Sequence, residues 1–302
     1  MKYFIKRKSI IFILFILAII LTLRFFSYLH KAKTQLATYD SLVKTLDTSY
    51  GTMSYIDAGL GEPILICHGL FGGYDQAYNI FHNMTNTYRI VAPSRFGYTG
   101  TDLPKDATVK DQSDAYCELL DALGIEKTYI LGTSAGGLCA LRFAIEHPER
   151  VKGVILFCSG GIEATKPKTE DIPSYVSVPK PFCNDFTLWL IGPIIRNKMN
   201  MSDEDWRSVF PVSSKAKGVI NDGYHANRDS DINYDEYTLE NLDVPVLALH
   251  AKDDQLASYE KISNMMVRIP NSTFVSFDTG GHMITGHSEE IDAAIAAFTT
   301  SN

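Results

Sequence analysis

Cysteine is scarce in this sequence, and its spacing argues against a fold stabilised by disulfides. The 302 residues contain five cysteines, and no two of them form a C-x-x-C pair. An odd count leaves at least one thiol unpaired, so no disulfide framework is implied. Because Cys67 and Cys158 end apolar runs and Cys139 lies in a helical pattern, we expect buried, unreactive thiols.

Basic residues are also scarce once the N-terminus is set aside. Seven of the 28 Lys and Arg residues lie within 1–33, a stretch that has no Asp or Glu. The remaining 21 stand against 35 acidic residues, so residues 34–302 carry a formal net charge of −14. Binding to nucleic-acid phosphates needs a basic face, and this acidic body therefore argues against a nucleic-acid partner.

The N-terminal basic residues flank a long hydrophobic run. Residues Ser9 to Leu23 are uncharged, and a looser apolar stretch continues past Arg24 to Leu29. A bilayer-spanning helix needs about 20 apolar residues, and an arginine near one face can extend its charge towards the head groups. We expect 1–33 to be an uncleaved single-pass transmembrane helix that binds the lipid bilayer.

The orientation of this helix follows from its charges. Four basic residues precede the hydrophobic run, which favours a cytoplasmic N-terminus and an extracytoplasmic location for residues 34–302. The alternative is a cleaved signal peptide and a secreted protein, although no small-x-small cleavage site follows the run.

The rest of the chain alternates between strand-like and helix-like segments. Eight short strands are predicted, and some, such as "EPILICHG", are apolar on both faces, as in a buried parallel sheet. The alternation predicts an α/β fold with a mostly parallel eight-stranded sheet flanked by helices, interrupted by an inserted helical lid. The predicted divisions are the membrane anchor (1–33), the first part of the core (34–161), the lid (162–242) and the second part of the core (243–302).

A cluster of small residues, "GTSAGG" at 132–137, follows a buried strand and precedes an amphipathic helix. It contains G-x-S-x-G, and a serine at so sharp a strand-to-helix turn needs small neighbours. The hydroxyl of Ser134 would project above the sheet edge, at a helix N-terminus that favours developing negative charge. We therefore expect Ser134 to be a nucleophile rather than only a part of a tight turn.

A nucleophilic serine needs a base, and the base needs an acid that orients it. In an open α/β sheet, ligands gather at the C-terminal ends of the strands. Asp253 and Asp254 follow one predicted strand, and His282 follows the next. The chain order Ser, Asp, His is typical of a triad in this context, and the spacing alone leaves either aspartate as the acid.

Several motifs within residues 43–302 resemble the α/β-hydrolase superfamily, in its lid-bearing, serine-esterase-like branch. They are "HGLFGG" (68–73), "GTSAGG", "HAKDDQL" (250–256) and "GGHMI" (280–284). One segment departs from the family pattern: in "APSRFGYTGT" (92–101), Ser94 stands where the family usually has an aspartate.

The resemblance implies a complete set of catalytic residues. Of the two neighbouring aspartates it selects the second, so that the implied triad is Ser134, Asp254 and His282. It also implies an oxyanion hole formed by the backbone N–H groups of Leu70 and Ala135. No metal or organic cofactor is implied.

Other candidate residues have more ordinary explanations. His68 is expected to order its loop by hydrogen bonds, and His287 to lie at a solvated helix start. Arg95 is expected to pair with a nearby acid rather than with a substrate carboxylate. The acidic segment 229–240 imitates the spacing of a calcium loop, but Tyr234 occupies the position that needs glycine.

The sequence thus predicts a serine hydrolase of small molecules, and more specifically a carboxylic-ester hydrolase. Lid aromatics are expected to form the lid's own core, with some facing the cleft, which favours an apolar acyl or alcohol group. The same triad would also serve amide, thioester, lactone or C–C bond hydrolysis, cofactor-free perhydrolysis or cyanohydrin cleavage. A catalytically inactive, membrane-tethered binding protein is the remaining alternative. Dehalogenase and epoxide-hydrolase chemistry is disfavoured, because those relatives carry a carboxylate at the position of the serine.

Overall fold

The computed structural model describes residues 2–301, with side chains from Ser9 onward, and centres on one eight-stranded sheet. The strands are β1 (Val43–Thr48), β2 (Gly51–Ala58), β3 (Glu62–Cys67), β4 (Tyr88–Pro93), β5 (Thr128–Thr133), β6 (Val151–Phe157), β7 (Val246–Ala251) and β8 (Ser272–Phe277). Their order in the sheet is β1-β2-β4-β3-β5-β6-β7-β8. The pairs β1–β2 and β2–β4 are antiparallel and all others are parallel, so the predicted sheet is confirmed.

Helices cover both faces of the sheet, and further helices lie at the N-terminus and in the insertion between β6 and β7. They are α1 (Lys2–Ala37), α2 (Tyr74–Phe81), α3 (Val109–Ala122), α4 (Gly136–Glu146), α5 (Asp185–Met199), α6 (Asp203–Ser208), α7 (Ala216–Tyr224), α8 (Asp229–Ile232), α9 (Tyr259–Arg268) and α10 (Ser288–Ser301). Apolar side chains of α3, α4 and α9 pack on one face of the sheet, and those of α2 and α10 pack on the other.

The central strands are apolar on both faces because each face is covered by helices. In β5, Ile130 joins the core on one side, while Tyr129 and Leu131 join the core on the other. Val154 and Ile155 of β6 divide between the two cores in the same way. Side chains on a strand alternate between its two faces, so a continuous apolar run in the sequence feeds two separate cores.

Four helices, α5 to α8, lie between β6 and β7, within the segment predicted as a lid (162–242). Ser202 caps the N-terminus of α6, because its Oγ accepts a hydrogen bond from the Asp205 N–H at 3.1 Å. α5 continues through Pro193, so this proline does not end the helix. We keep the name lid for residues 162–242; their boundaries as a separate unit stay a prediction.

The two halves of α1 have different surroundings. Every side chain from Ser9 to Arg24 is exposed, and the most apolar part of the helix is 0% buried. Beyond Arg24 the helix packs against the lid: Ala32 is 1% exposed, and the Tyr28 ring meets the Phe210 ring edge-on at 5.2 Å. At 1.5 Å per residue, the 36 residues of α1 extend for about 54 Å, which is longer than the hydrocarbon core of a bilayer.

Candidate active site

Ser134 lies in the turn between β5 and α4. Its φ angle of 52° is in the left-handed region, which residues other than glycine adopt at a cost in energy. The turn is held because the Ser134 N–H donates to the Phe157 carbonyl at 2.9 Å and the Gly137 N–H donates to the Ser134 carbonyl at 3.0 Å. A Cβ at Gly136 would lie 2.7 Å from the His68 carbonyl oxygen and nearer still to that of Cys67. Close approach of backbone therefore accounts for the small residues beside Ser134.

His282 lies in the loop between β8 and α10 and is buried. Gly280 and Gly281, with φ angles of 129° and 62°, form the turn that precedes it. Their N–H groups donate to the Asp253 carboxylate, at 3.3 and 2.8 Å. Asp253 therefore holds the turn of His282, while the neighbouring carboxylate meets the ring.

That neighbouring carboxylate belongs to Asp254, whose side chain is fully buried. Its Oδ2 lies 2.8 Å from His282 Nδ1, and its Oδ1 accepts the N–H groups of Leu256 and Ala257 at 2.8 and 3.1 Å. Burial favours the neutral acid, but the hydrogen bond and charge of His282 and the two backbone N–H groups outweigh it. They hold the pKa of Asp254 below its ordinary value, so a carboxylate faces the ring at neutral pH.

His282 joins this carboxylate to the serine. Its Nε2 lies 2.9 Å from Ser134 Oγ. Since a carboxylate can only accept, the hydrogen-bond network assigns a proton to Nδ1 and leaves a lone pair on Nε2. The arrangement can take the hydroxyl proton as the serine oxygen attacks, and can return it to a leaving group. The structure thus brings together Ser134, Asp254 and His282; their catalytic role is taken up below as a proposal.

The loop after β3 borders the serine. A Cβ at Gly69 would lie 3.1 Å from Ser134 Cβ, so the backbone of this loop passes beside the hydroxyl. The backbone N–H groups of Leu70 and Ala135 donate to no other group within residues 2–301. Unpaired donors next to a nucleophile suit the stabilisation of an oxyanion, and that role of Leu70 and Ala135 stays a prediction.

His68 holds the loop after β3 in place through hydrogen bonds. It is fully buried; its Nδ1 lies 2.8 Å from the Gly69 carbonyl oxygen, and its Nε2 accepts the Arg95 N–H at 2.9 Å. Burial, and then the charge of Arg95, hold the pKa of His68 well below its ordinary value, so the ring is neutral. These contacts agree with the expectation that His68 orders the loop.

Arg95 connects the same loop to the lid. Its guanidinium donates to both carboxylate oxygens of Asp222 on α7, at 2.9 and 2.7 Å, and its Nε donates to the His68 carbonyl at 3.0 Å. The Tyr98 hydroxyl donates to the same Asp222 carboxylate at 2.6 Å. Arg95 therefore pairs with an acid, as expected. Sequence reasoning missed Asp222, because the pair is 127 residues apart and the lid contains many acids.

Two further residues near the site were also missed. His250 is buried at the end of β7, with Nε2 3.1 Å from the Ala257 carbonyl oxygen and 3.3 Å from Asp254 Oδ2. Burial lowers the pKa of His250, so a neutral ring adds a second contact to the acid. Ser94, which departs from the family pattern, accepts the Tyr74 N–H at 2.9 Å and so caps the first turn of α2. The signal for His250 was its proximity to Asp254 in the sequence, and the signal for Ser94 was its departure from the family pattern; neither signal predicted the contact.

The remaining candidates lie outside this arrangement. His287 Nδ1 lies 3.3 Å from Glu290 Oε1 at the start of α10. In the acidic segment, Asp229 accepts hydrogen bonds from Tyr237 and Asn233. Among the described side chains, no three His, Cys, Asp or Glu residues converge as metal ligands.

Known proteins match this chain in sequence. A sequence model of the alpha/beta hydrolase fold matches residues 62–285. The chain is 38% identical over 119 residues to 2-hydroxy-6-oxo-6-phenylhexa-2,4-dienoate hydrolase of Burkholderia cepacia, which covers 36% of this chain but only 40% of that protein. It is 26% identical over 234 residues to 2-hydroxymuconate semialdehyde hydrolase of Pseudomonas sp. strain CF600, covering 75% and 82%.

Solved structures match in fold. A bacterial membrane phospholipase A superposes with a TM-score of 0.66 at 18% identity, over 96% of this chain and 98% of that one. At this identity the likeness concerns the fold alone. With an eight-stranded sheet of this order and a family match across most of its length, the chain belongs to the alpha/beta hydrolase fold family.

Proposed function

We propose that the protein is a serine hydrolase that cleaves carboxylic esters with an apolar acyl or alcohol group. The observation that carries the proposal is the hydrogen-bonded chain Asp254–His282–Ser134 beside two unpaired backbone N–H groups. Ser134 Oγ attacks the ester carbonyl, and His282 Nε2 takes the serine proton and passes it to the leaving alcohol. Water then attacks the acyl-enzyme with His282 as base, which releases the acid and restores Ser134.

The other groups of the site assist these steps electrostatically. The Asp254 carboxylate keeps the proton on His282 Nδ1 and stabilises the imidazolium as it forms. The N–H groups of Leu70 and Ala135 receive the oxyanion of the tetrahedral intermediate, and each such donor is typically worth about 3 kcal/mol. The serine at the turn also sets this chain apart from dehalogenases, which carry a carboxylate there.

Hydrolysis of a C–C bond is the second candidate, because both named relatives are, by name, hydrolases of a dienoate and of a semialdehyde, and neither name is that of an ester. A dienoate carries a carboxylate, and a cation is the usual partner for such a group. Two buried cations lie near the oxyanion loop, Arg95 and Lys215, and each is already neutralised by a buried carboxylate, that of Asp222 or Asp75. This pairing supports an uncharged ester over a dienoate.

The surroundings of the loop support an apolar substrate group. Leu70 and Phe71, which follow Gly69, pack into the same apolar cluster as the lid residues Leu188 and Phe210. Any group bound between the loop and the lid would therefore meet apolar walls.

We propose further that α1 remains attached as a single-pass anchor, with its N-terminus in the cytoplasm and the catalytic part outside. A core helix of a soluble protein would be mostly buried, whereas the apolar part of α1 is 0% buried. Cleavage after the apolar stretch that ends at Leu29 would remove Tyr28, which packs against the same apolar cluster as Leu188 and Phe210. The structural neighbour named a membrane phospholipase A shares the fold over nearly the whole chain, which agrees with this proposal.

Hydrolysis by the full chain in detergent tests the activity. The substrates are p-nitrophenyl esters from acetyl to dodecanoyl, a matching anilide and a 2-hydroxy-6-oxo dienoate, with Ser134→Ala as the matched variant. We expect esters to be cleaved best, with rates that rise with acyl length, and no hydrolysis by the variant. Preferred cleavage of the dienoate would replace the ester proposal by C–C hydrolysis, and full activity of Ser134→Ala would refute the mechanism.

Mass spectrometry of the protein from carbonate-washed membranes tests the anchor. We expect a mass that includes residues 1–33. A mature protein that begins beyond the hydrophobic run, or that leaves the membrane in carbonate, would overturn the anchor proposal.

A further inference from the structure

One side of α5 carries large apolar side chains that remain exposed. Phe186, Leu190 and Ile194 are 41%, 51% and 67% exposed. They follow one another at intervals of four residues, so they form one stripe along the helix. The opposite side of α5 is buried, through Leu188 and Gly192. Contiguous exposed apolar surface on a folded protein marks a site of interaction.

The stripe begins where α1 changes its surroundings. The Phe25 ring lies 5.3 Å from the Phe186 ring, edge-on, and 5.5 Å from the Trp189 ring. Phe26, the next residue of α1, is exposed, and the exposed apolar run of α1 immediately precedes this pair. Of these aromatic residues, Trp189 is of the type that is enriched where membrane helices meet the head groups. α1 therefore holds the start of α5 next to the end of its own exposed apolar run.

The other end of α5 reaches the catalytic turn. Asn200, the residue after the helix, accepts a hydrogen bond from Thr285 Oγ1 through its carbonyl at 3.3 Å. A Cβ at Gly281 would lie 3.1 Å from Asn200 Cβ, so Asn200 borders the glycine before His282. The 15 residues of α5 extend for about 22 Å and thus connect the membrane-proximal part of α1 with the turn that positions His282.

We infer that α5 lies in the bilayer leaflet that α1 enters, with Phe186, Leu190 and Ile194 among the acyl chains. The substrate of the protein is then an acyl ester that resides in that bilayer and reaches Ser134 along α5. The bilayer is what covers the apolar stripe of α5, because α1 holds Phe186 beside its own exposed apolar run. The stripe therefore continues the apolar surface of α1. The docking of α5 rests on the proposed membrane anchor and on these contacts, and the choice of substrate rests on the proposed ester hydrolysis.

The depth of α5 is measured in the full chain reconstituted into phosphatidylcholine vesicles with brominated acyl chains. An environment-sensitive fluorophore is attached to Leu190→Cys, or to Val267→Cys as the control, since Val267 is 85% exposed on α9. Both are made in a Cys117→Ala background, because Cys117 is half-buried and the other four cysteines are buried. We expect brominated lipid to quench the label at 190 and not at 267. Equal quenching at the two positions, or none at 190, would overturn the docking.

Substrate supply is measured by comparing p-nitrophenyl palmitate dissolved in the vesicles with p-nitrophenyl acetate in the surrounding water. We expect the ratio of the two rates to fall about tenfold in Leu190→Gln/Ile194→Gln and to stay unchanged in Val267→Gln. An unchanged ratio in the double variant would overturn supply along α5.

Failure of the proposed ester hydrolysis shows separately, as no cleavage of either ester by the unsubstituted chain. The proposed substrate is then refuted as well, while the quenching result still decides whether α5 lies in the bilayer.

Discussion

The Nε2 atom of His282 lies 2.9 Å from the Oγ atom of Ser134, although 148 positions separate the two residues. The sheet explains this meeting: β5, which precedes Ser134, and β8, which precedes His282, run parallel with β6 and β7 between them. Asp254 follows β7. Because parallel strands present their C-terminal ends at one edge, three strand ends deliver the three side chains to one place.

Replacement of the buried acid tests which aspartate serves the histidine. Asp254→Asn puts an amide opposite His282 Nδ1 and no longer favours the correct tautomer, so we expect kcat for ester hydrolysis to fall by about 10⁴-fold. Asp253→Asn is the matched control, since its side-chain carbonyl can still accept the shorter hydrogen bond, from the Gly281 N–H, and we expect a loss of less than about tenfold. A larger loss in Asp253→Asn than in Asp254→Asn would show that Asp253, and not Asp254, is the acid that serves His282.

The buried neutral ring of His68 predicts a pH dependence of stability. Unfolded His68 binds a proton near its ordinary pKa of 6.5, whereas the folded ring stays neutral to a much lower pH. Between these values the unfolded state binds more protons, so the free energy of unfolding falls as the pH falls below 6.5, by up to about 1.4 kcal/mol per pH unit. We expect His68→Gln to show a shallower slope in urea titrations from about pH 7 to about pH 5, with His250 still contributing its own. Identical slopes for His68→Gln and the unsubstituted chain would mean that His68 binds its proton as readily in the folded state as in the unfolded state.

The parts of the site that could be predicted are those in which local sequence and sheet position agree. G-x-S-x-G after a buried strand fixes the place of Ser134, and a histidine after the last strand fixes that of His282. The choice between Asp253 and Asp254 needed the family resemblance, because both residues follow β7. Only the fold shows that one carboxylate holds the turn and the other meets the ring.

The contacts of the lid and of α1 could not be predicted in this way. Asp222 is one acid among many in the lid, and its pairing with Arg95 depends on how α7 packs across the loop after β4. The apolar composition of α1 predicts a membrane helix but says nothing of where that helix touches the protein. Ala32 is small and lies in a polar stretch, yet it is buried in the lid cluster.

The buried ion pair between Arg95 and Asp222 predicts strong coupling between two substitutions. Asp222→Leu leaves a buried, unpaired guanidinium and Arg95→Met a buried, unpaired carboxylate, so we expect each to lower the free energy of unfolding by about 3–5 kcal/mol. Arg95→Met/Asp222→Leu removes both charges, and we expect its loss to be much smaller than the sum of the losses of the two single variants. Urea unfolding of the four proteins completes the double-mutant cycle. Additive losses would show that the pair does not interact in solution.

The crowding at the serine turn predicts a difference between two glycines. Gly136→Ala would press a methyl group onto the backbone of Cys67 and His68, whereas a Cβ at Gly160 meets nothing within 4 Å. We expect Gly136→Ala to cost about 1–3 kcal/mol of stability and to displace the loop after β3, lowering kcat by about 10²-fold. Gly160→Ala should keep both values near those of the unsubstituted chain. Thermal unfolding and ester hydrolysis measure the two effects, and an active Gly136→Ala would show that the loop tolerates displacement.

Truncation within α1 separates its two halves. A chain that lacks residues 1–24 loses the side chains of Ser9 to Arg24, all of which are exposed. We therefore expect its unfolding temperature and its rate of hydrolysis of soluble esters to stay unchanged. A chain that lacks residues 1–37 also loses Tyr28, Ala32 and Leu36, which pack on the lid and on the core beneath it. Burial of a large apolar side chain contributes about 1.5–3 kcal/mol, so we expect the free energy of unfolding to fall by several kcal/mol and the lid to loosen. Thermal unfolding of both truncated chains in the same detergent makes the comparison. Equal unfolding temperatures would mean that the second half of α1 is only a tether; a lower temperature in the shorter chain alone would make it a structural part of the lid.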